Sequence, residues 1–276
     1  MRADPLTSVI NDGVPLLVLS PHLDDAILSC GALLAYAGQR VPVTVATFFT
    51  EGAPPPYTLS ARQFLRQVGI ADAMQLYDAR RAEDRTVLEG MGIAWRHAGL
   101  TDALFRRKAR MPLGGRWPAR RLPAELVHVY PTYRLHIASG RLAVDDDDTL
   151  GRAIAFAQTL VAERSSLVLA PLGIGGHVDH ILVRTAAALC SGGRVIYYSE
   201  LPYNQRHALD AAFARRTRFV RTTWSLELAA KAALIRGYRT QVDALFPNGR
   251  IPVVPEVYLL PDISVAHDGR AQARES

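Results

Sequence analysis

The chain has 276 residues, and 32 Lys plus Arg against 26 Asp plus Glu give a net charge of +6 with His neutral. With 49% apolar and 21% charged residues it has the composition of a folded globular protein, which excludes wholesale disorder. Cys30 and Cys190 are too few for a disulfide scaffold and fit a reducing compartment, the first residues lack the apolar run of a signal peptide, and Ala26–Gly38 falls short of the roughly 20 residues that span a bilayer, so a cytoplasmic protein without a membrane span is expected.

In chain order, Pro15–Ser20 (PLLVLS) reads as a buried strand, followed by a polar loop and a helix over Ala26–Gln39. Val43–Thr50 is β-branched and aromatic, as strands prefer. A charged helix over residues 76–93 ends near Gly92. Residues 106–150 are rich in Arg, Pro and Gly and too poor in apolar residues for a core of their own, so they read as an insertion over the strand ends, either a lid or a surface excursion. Leu167–Ala170 is a third strand, followed by a Gly-rich turn and a helix to about Leu189; Val195–Ser199 is a fourth, and His267–Ser276 form a frayed tail. Strands alternating with helices predict an α/β chain with a mostly parallel sheet covered on both faces, with ligands at the carboxyl ends of the strands.

The positive charge is concentrated in seven bases between Arg106 and Arg121 and in Arg215, Arg216, Arg218 and Arg221. Neither cluster has the interleaved aromatics of a single-strand platform, so a solvated face or the rim of an anionic-substrate site is expected rather than nucleic acid. The acidic run Asp145–Asp148 reads as a solvated loop, and both cysteines as buried small hydrophobes.

Two clusters carry chemistry. Ser20-Pro21-His22-Leu23-Asp24-Asp25 places an imidazole and two carboxylates directly after an apolar strand. His22 and Asp25, three apart, can turn toward one centre and offer donors suited to Zn²⁺, leaving Asp24 free to handle a proton. A helix cap explains one acid there, but not a histidine with two acids. His177-Val178-Asp179-His180 follows another strand and a turn with Gly173, Gly175 and Gly176. His180 supplies a third donor, His177 an oxyanion partner, and Asp179 a group that orients one of the imidazoles. Two histidines and one carboxylate with an open position suit a hydrolytic zinc site, and also Fe²⁺.

These motifs, with Tyr197–Tyr203, Arg80-x-x-Glu83, Leu100-Thr101-Asp102 and the Lys231–Gln241 stretch, make the sequence resemble the PIG-L (LmbE-like) N-acetylglucosaminyl deacetylases over nearly its whole length. The resemblance implies a Rossmann-like fold in one domain over residues 1–276. It implies His22, Asp25 and His180 as metal ligands, Asp24 as general base, His177 as oxyanion partner and Asp179 as the acid paired with it. Arg80 and Asp102 would line the sugar pocket as in some members, while Tyr203, which follows Pro202 beyond a strand end, either faces the substrate pocket or packs. The implied substrate is an N-acetyl amino-sugar glycoconjugate. One departure is Ala26, where the common family motif has Glu. The variant Ser-Pro-His-Leu-Asp-Asp-Ala is similar to the glycopeptide-antibiotic pseudoaglycone deacetylases, with the small-thiol and aminoglycoside branches still open. Competing readings are a metal-dependent amidase for another acyl group, and a non-catalytic sugar- or nucleic-acid-binding protein on a degenerate scaffold.

Overall fold

The computed structural model describes residues 5–109, 122–163, 166–192, 194–216 and 218–261. The strands are β1 (Leu16–Ser20), β2 (Val43–Glu51), β3 (Ala94–Thr101), β4 (Leu167–Pro171), β5 (Val195–Tyr198), β6 (Phe219–Trp224) and β7 (Glu256–Pro261). They form one sheet in the order β3-β2-β1-β4-β5-β7-β6, in which β7 runs antiparallel to both its neighbours and the other pairings are parallel. The helices are α1 (Pro5–Asn11), α2 (Asp25–Ala37), α3 (Leu59–Val68), α4 (Ala73–Gly90), α5 (Ala124–Val127), α6 (Asp147–Glu163), α7 (Val178–Cys190), α8 (Ala211–Arg216), α9 (Leu228–Ile235) and α10 (Arg239–Leu245).

The two-residue period of the strands divides the core. Leu16 and Val18 of β1, with Val43 and Val45 of β2, join one cluster with α2 and α9. Leu17 and Leu19, with Ala46 and Phe48, face the opposite cluster built on α6 and α7. Both faces of the central strands are therefore dry, which explains why they read as continuous apolar runs. Strand order reverses at β1, whose neighbours are β2 on one side and β4 on the other. The two chemical motifs follow β1 and β4, so they emerge side by side at the switch point where parallel sheets bind ligands.

The sequence-predicted strands are all present. The charged helix begins earlier than its charge pattern suggests, at Ala73, because Asp72 caps it by accepting from the Gln75 N–H at 3.0 Å. The insertion does not float free: Val129, Tyr130 and Ile137 join Leu65, Leu76, Tyr77 and Phe105 in a third apolar cluster shared with α3 and α4. Two charge readings are corrected. Arg106 is buried and pairs with two carboxylates, so it is no part of a solvated rim. Asp146 is also buried; it accepts from Arg106 and from the Tyr130 hydroxyl, and only its neighbours Asp145, Asp147 and Asp148 are exposed. Arg110, Arg116, Arg120, Arg121 and the tail His267–Ser276 lie outside the described residues. Cys30 is buried, whereas Cys190 is half-buried. No helix among the described residues is long and apolar enough to cross a membrane.

Candidate active site

The turn after β1 is pinned by Ser20, whose Oγ donates to the His22 carbonyl at 2.8 Å and accepts from the Ala26 N–H at 3.0 Å. Asp25 turns back on this loop, and its Oδ2 accepts from the His22 backbone N–H at 3.0 Å and lies 3.1 Å from His22 Nδ1. Asp24 stands at the N-cap position of α2 but makes no side-chain capping bond, which removes capping as its explanation. It is buried and lines the cavity above the loop.

The turn after β4 carries Gly173, Gly175 and Gly176, all at positive φ. At Gly176 (φ +70°) a Cβ would stand 3.0 Å from the Gly140 nitrogen, so only glycine lets the insertion close on this loop. The turn delivers α7 with His180 fully buried, its Nε2 3.3 Å from Asp25 Oδ2. One ligand atom from each of His22, Asp25 and His180 lies within 4.8 Å of the others. His180 Nε2 is buried and has no hydrogen-bond partner among the described residues. An orphaned imidazole nitrogen facing a carboxylate and a second imidazole fits a bound divalent metal.

Each of these histidines has a carboxylate behind it. His180 Nδ1 lies 3.2 Å from Glu200 Oε1, and His22 Nε2 lies 3.2 Å from Asp179 Oδ2. Such partners fix the tautomer and the ring orientation of a ligating imidazole. Asp179 is itself held by Arg106 and by the Ala103 N–H at 2.9 Å. Its carboxylate hydrogen-bonds the His22 ring, and one ligand atom from each of His22, His177 and Asp179 lies within 4.8 Å of the others, so His177 stands beside the same acid. The link between Asp179 and His177 runs through the backbone: His177 Nδ1 accepts from the Asp179 N–H at 3.3 Å.

The surrounding acids demand positive charge. Burial works against a charged His22, but the hydrogen bonds it donates to Asp179 and Asp25 outweigh it and raise its pKa well above the usual imidazole range. Burial likewise opposes charge on His180, yet Asp25 and Glu200 lift it to about 9. Burial together with the Asp25 charge raises Asp24 to about 7. Burial and the nearby His22 charge push His177 down to about 3, so its ring is neutral.

The cavity over this cluster has a volume of about 860 Å³. Arg80, Asp102 and Tyr203 all reach it. Asp102 Oδ2 accepts from the Tyr77 hydroxyl and stands 3.5 Å from His22 Nε2, while Arg80 donates to Tyr77 at 3.2 Å and to Gln241. Arg80 Nε and Gln241 Nε2 are buried donors without partners among the described residues. Sequence reasoning missed Glu200, Arg106 and Tyr133. Glu200 had the same signal as the two motifs, an acid just past an apolar strand. Tyr133, whose ring meets His177 edge-on at 6.1 Å, lies in a polar segment without periodicity and gave none.

Two imidazoles and one carboxylate, beside a further acid at a parallel-sheet switch point, form a donor set able to hold a divalent metal. Residues 17–191 match the PIG-L family, GlcNAc-PI de-N-acetylase, and the chain belongs to that family. It is 34% identical over 200 residues to a 2'-N-acetylparomamine deacetylase of Streptomyces fradiae, covering 70% of this chain and 60% of that protein. The chain thus spans less than two thirds of that relative. A 2'-N-acetylparomamine deacetylase of Niallia circulans is 26% identical over 253 residues, covering 83% of this chain and 82% of the relative. Among solved structures, a zinc-inhibited form of teicoplanin deacetylase matches with a TM-score of 0.68 and 25% identity over 91% of this chain and 99% of that one.

Proposed function

We propose that the protein is a metal-dependent hydrolase that removes the acetyl group from an N-acetylated amino sugar on a larger carrier, and that the chain forms one such domain. The observation that carries this reading is the convergence of His22, Asp25 and His180 on one centre beneath a cavity that the unligated Asp24 also lines. The family membership and the deacetylase relatives support it. The donor set suits Zn²⁺, with Fe²⁺ as the alternative, and the two free cysteines fit a cytoplasmic setting.

His22, Asp25 and His180 would hold the metal, which when bound polarises the acetyl carbonyl and acidifies water. The chain's own groups carry the rest. Asp24 takes a proton from the attacking water as its oxygen bonds to the acetyl carbon. Because His177 Nδ1 accepts the Asp179 N–H, the neutral ring carries its proton on Nε2, and that donor stabilises the oxyanion. As the C–N bond breaks, Asp24 returns its proton to the leaving nitrogen, giving acetate and a free amine. Arg80, Asp102 and Tyr203 hold the sugar, and the unpaired donors of Arg80 and Gln241 match its hydroxyl oxygens.

Acetate release from a panel of N-acetylglucosaminides by the zinc- and iron-reconstituted protein tests this. Release from N-acetyl but not N-propionyl sugars is expected, abolished in Asp24→Asn. Absence of release from every substrate, or release only from larger acyl groups, would overturn the reading in favour of a sugar-binding scaffold or a different amidase.

A further inference from the structure

A second hollow lies outside the catalytic cavity, along α3. Thr58 caps the start of this helix by accepting the Ala61 N–H at 3.2 Å, and Gly69 ends it at φ +73°. The chain then folds back, with the Ile70 N–H donating to the Leu65 carbonyl at 3.2 Å. Tyr57, before the first cap, and Ile70, after the second, line the hollow together with Leu59 and Leu65 of α3, and its volume is about 760 Å³. Leu65 belongs to the third apolar cluster, and Tyr57 and Ile70 pack against it, whereas Leu59 is exposed and joins none of the three clusters. Here the apolar core continues out to the surface in a concave groove.

Arg62 and Arg66 complete the lining, one helical turn apart and both exposed. α3 carries no acid, and the next acid along the chain, Asp72, is spent on capping α4. The ion pairs of Arg and Lys among the described residues engage Arg81, Arg106 and Lys231, and none reaches Arg62 or Arg66. Two unneutralised cations side by side repel each other, and an anion between them reverses that cost. In water such exposed guanidinium groups hold a small anion weakly. Under a partner surface that excludes solvent, the same charges pair more strongly and select the partner by sign. The apolar floor adds the contact that such a surface needs at its centre.

We infer that this groove docks an acidic amphipathic helix of another protein, its apolar side chains on Leu59, Leu65 and Ile70 and its carboxylates facing Arg62 and Arg66. The 10 residues of α3 span about 15 Å, the length of about three turns of a partner helix. Leu59 lines both this groove and the catalytic cavity, so the docked helix lies beside that cavity without touching the donor cluster.

The test titrates the full, metal-loaded chain against a labelled synthetic peptide of about four helical turns, with Leu on one face and Glu on the other, read by fluorescence anisotropy. Two control peptides carry Lys in place of Glu, or Ser in place of Leu. The acidic apolar peptide should bind at least ten-fold tighter than either control, and more weakly as salt rises. Arg62→Glu/Arg66→Glu should weaken it about ten-fold or more, with circular-dichroism spectrum and metal content unchanged. The milder Arg62→Gln/Arg66→Gln pair should show a smaller loss in the same direction. Arg215→Glu/Arg218→Glu, an equal charge change at exposed positions elsewhere, should leave affinity within two-fold of wild type. Equal binding of either control peptide, or an equal loss in the Arg215/Arg218 variant, would reduce the effect to general attraction and overturn the docking site. Displacement of the peptide by dodecanoate at equal or lower concentration would also overturn it, assigning the groove to a small amphiphile instead.

Discussion

Arg106 is the most informative single position, because one buried cation serves two buried carboxylates. Its Nη1 donates to both oxygens of Asp146 at 2.8 and 2.7 Å, and its Nη2 donates to Asp179. The side chains of Arg106, Asp146 and Asp179 are 5%, 1% and 0% exposed. In Arg106→Met the aliphatic stem is roughly kept and the charge lost, leaving two acids without their counter-ion. Removing one partner of a buried pair costs about 3–5 kcal/mol, and here two acids are stranded at once, so the loss should reach the upper part of that range. Tyr130 still serves Asp146, and the Ala103 N–H still serves Asp179, which keeps the loss from doubling. With a slope of roughly 2–3 kcal/mol per molar urea, the unfolding midpoint should fall by about 1.5 M. Adding Asp146→Asn should recover part of the loss, since one stranded charge is gone; the two changes would then be non-additive. Urea titration followed by far-ultraviolet circular dichroism measures this. A loss below about 1 kcal/mol, or strict additivity of the two changes, would show that the cation does not hold these carboxylates.

Other outcomes follow from the same geometry. His22→Ala or His180→Ala should leave the purified protein without tightly held metal, and a full metal complement in either variant would remove that residue from the ligand set. Glu200→Gln should keep the fold but weaken metal binding about 10- to 100-fold in chelator competition, because a neutral amide oxygen holds and polarises the His180 ring less strongly than the carboxylate does; unchanged affinity would make Glu200 a mere acceptor for the Gly173 and Ile174 N–H groups. Gly176→Ala forces a Cβ within 3.0 Å of the Gly140 nitrogen at φ +70° and should cost on the order of 1–3 kcal/mol, with raised KM as the insertion shifts. A thermal midpoint equal to wild type would show that the contact is dispensable.

Legibility in the sequence tracks burial. β1, β2, β4 and β5 are buried for most or all of their length and stand out as apolar runs. β3 lies at an edge, carries Arg96 and His97 side by side followed by Ala98 and Gly99, and offers no such run. β6 lies at the other edge with Val220, Arg221 and Thr223 exposed, and its partner β7 begins only after the 31 intervening residues 225–255. Pairing at that distance leaves no local trace. The candidate metal-binding and acid residues were legible because unlike polar groups crowd the ends of apolar strands. Their supports were not: Arg106 lay inside a run of bases that local charge assigns to solvent, and Asp146 inside a run of acids. Each looked solvated by its neighbours in sequence while folding placed it against the other.

That pairing also decides what the insertion is. Arg106 stands at its first residue and Asp146 near its last, and the ion pair between them closes the segment at its base. Arg106 reaches further to Asp179, Asp179 to His22, and Tyr130 of the insertion to Asp146. A freely opening lid would have to break buried charge contacts that run directly to an imidazole of the donor cluster. Motion of the base would therefore disturb the donor cluster itself, and the described part of the segment, residues 106–109 and 122–150, is better suited to forming a fixed wall. What remains free to adapt is the outer turn, where Tyr133 and Leu135 are exposed above the cavity. The rigid base and the exposed tip therefore differ: one holds the donor cluster's geometry constant, and the other borders the cavity where solvent reaches it.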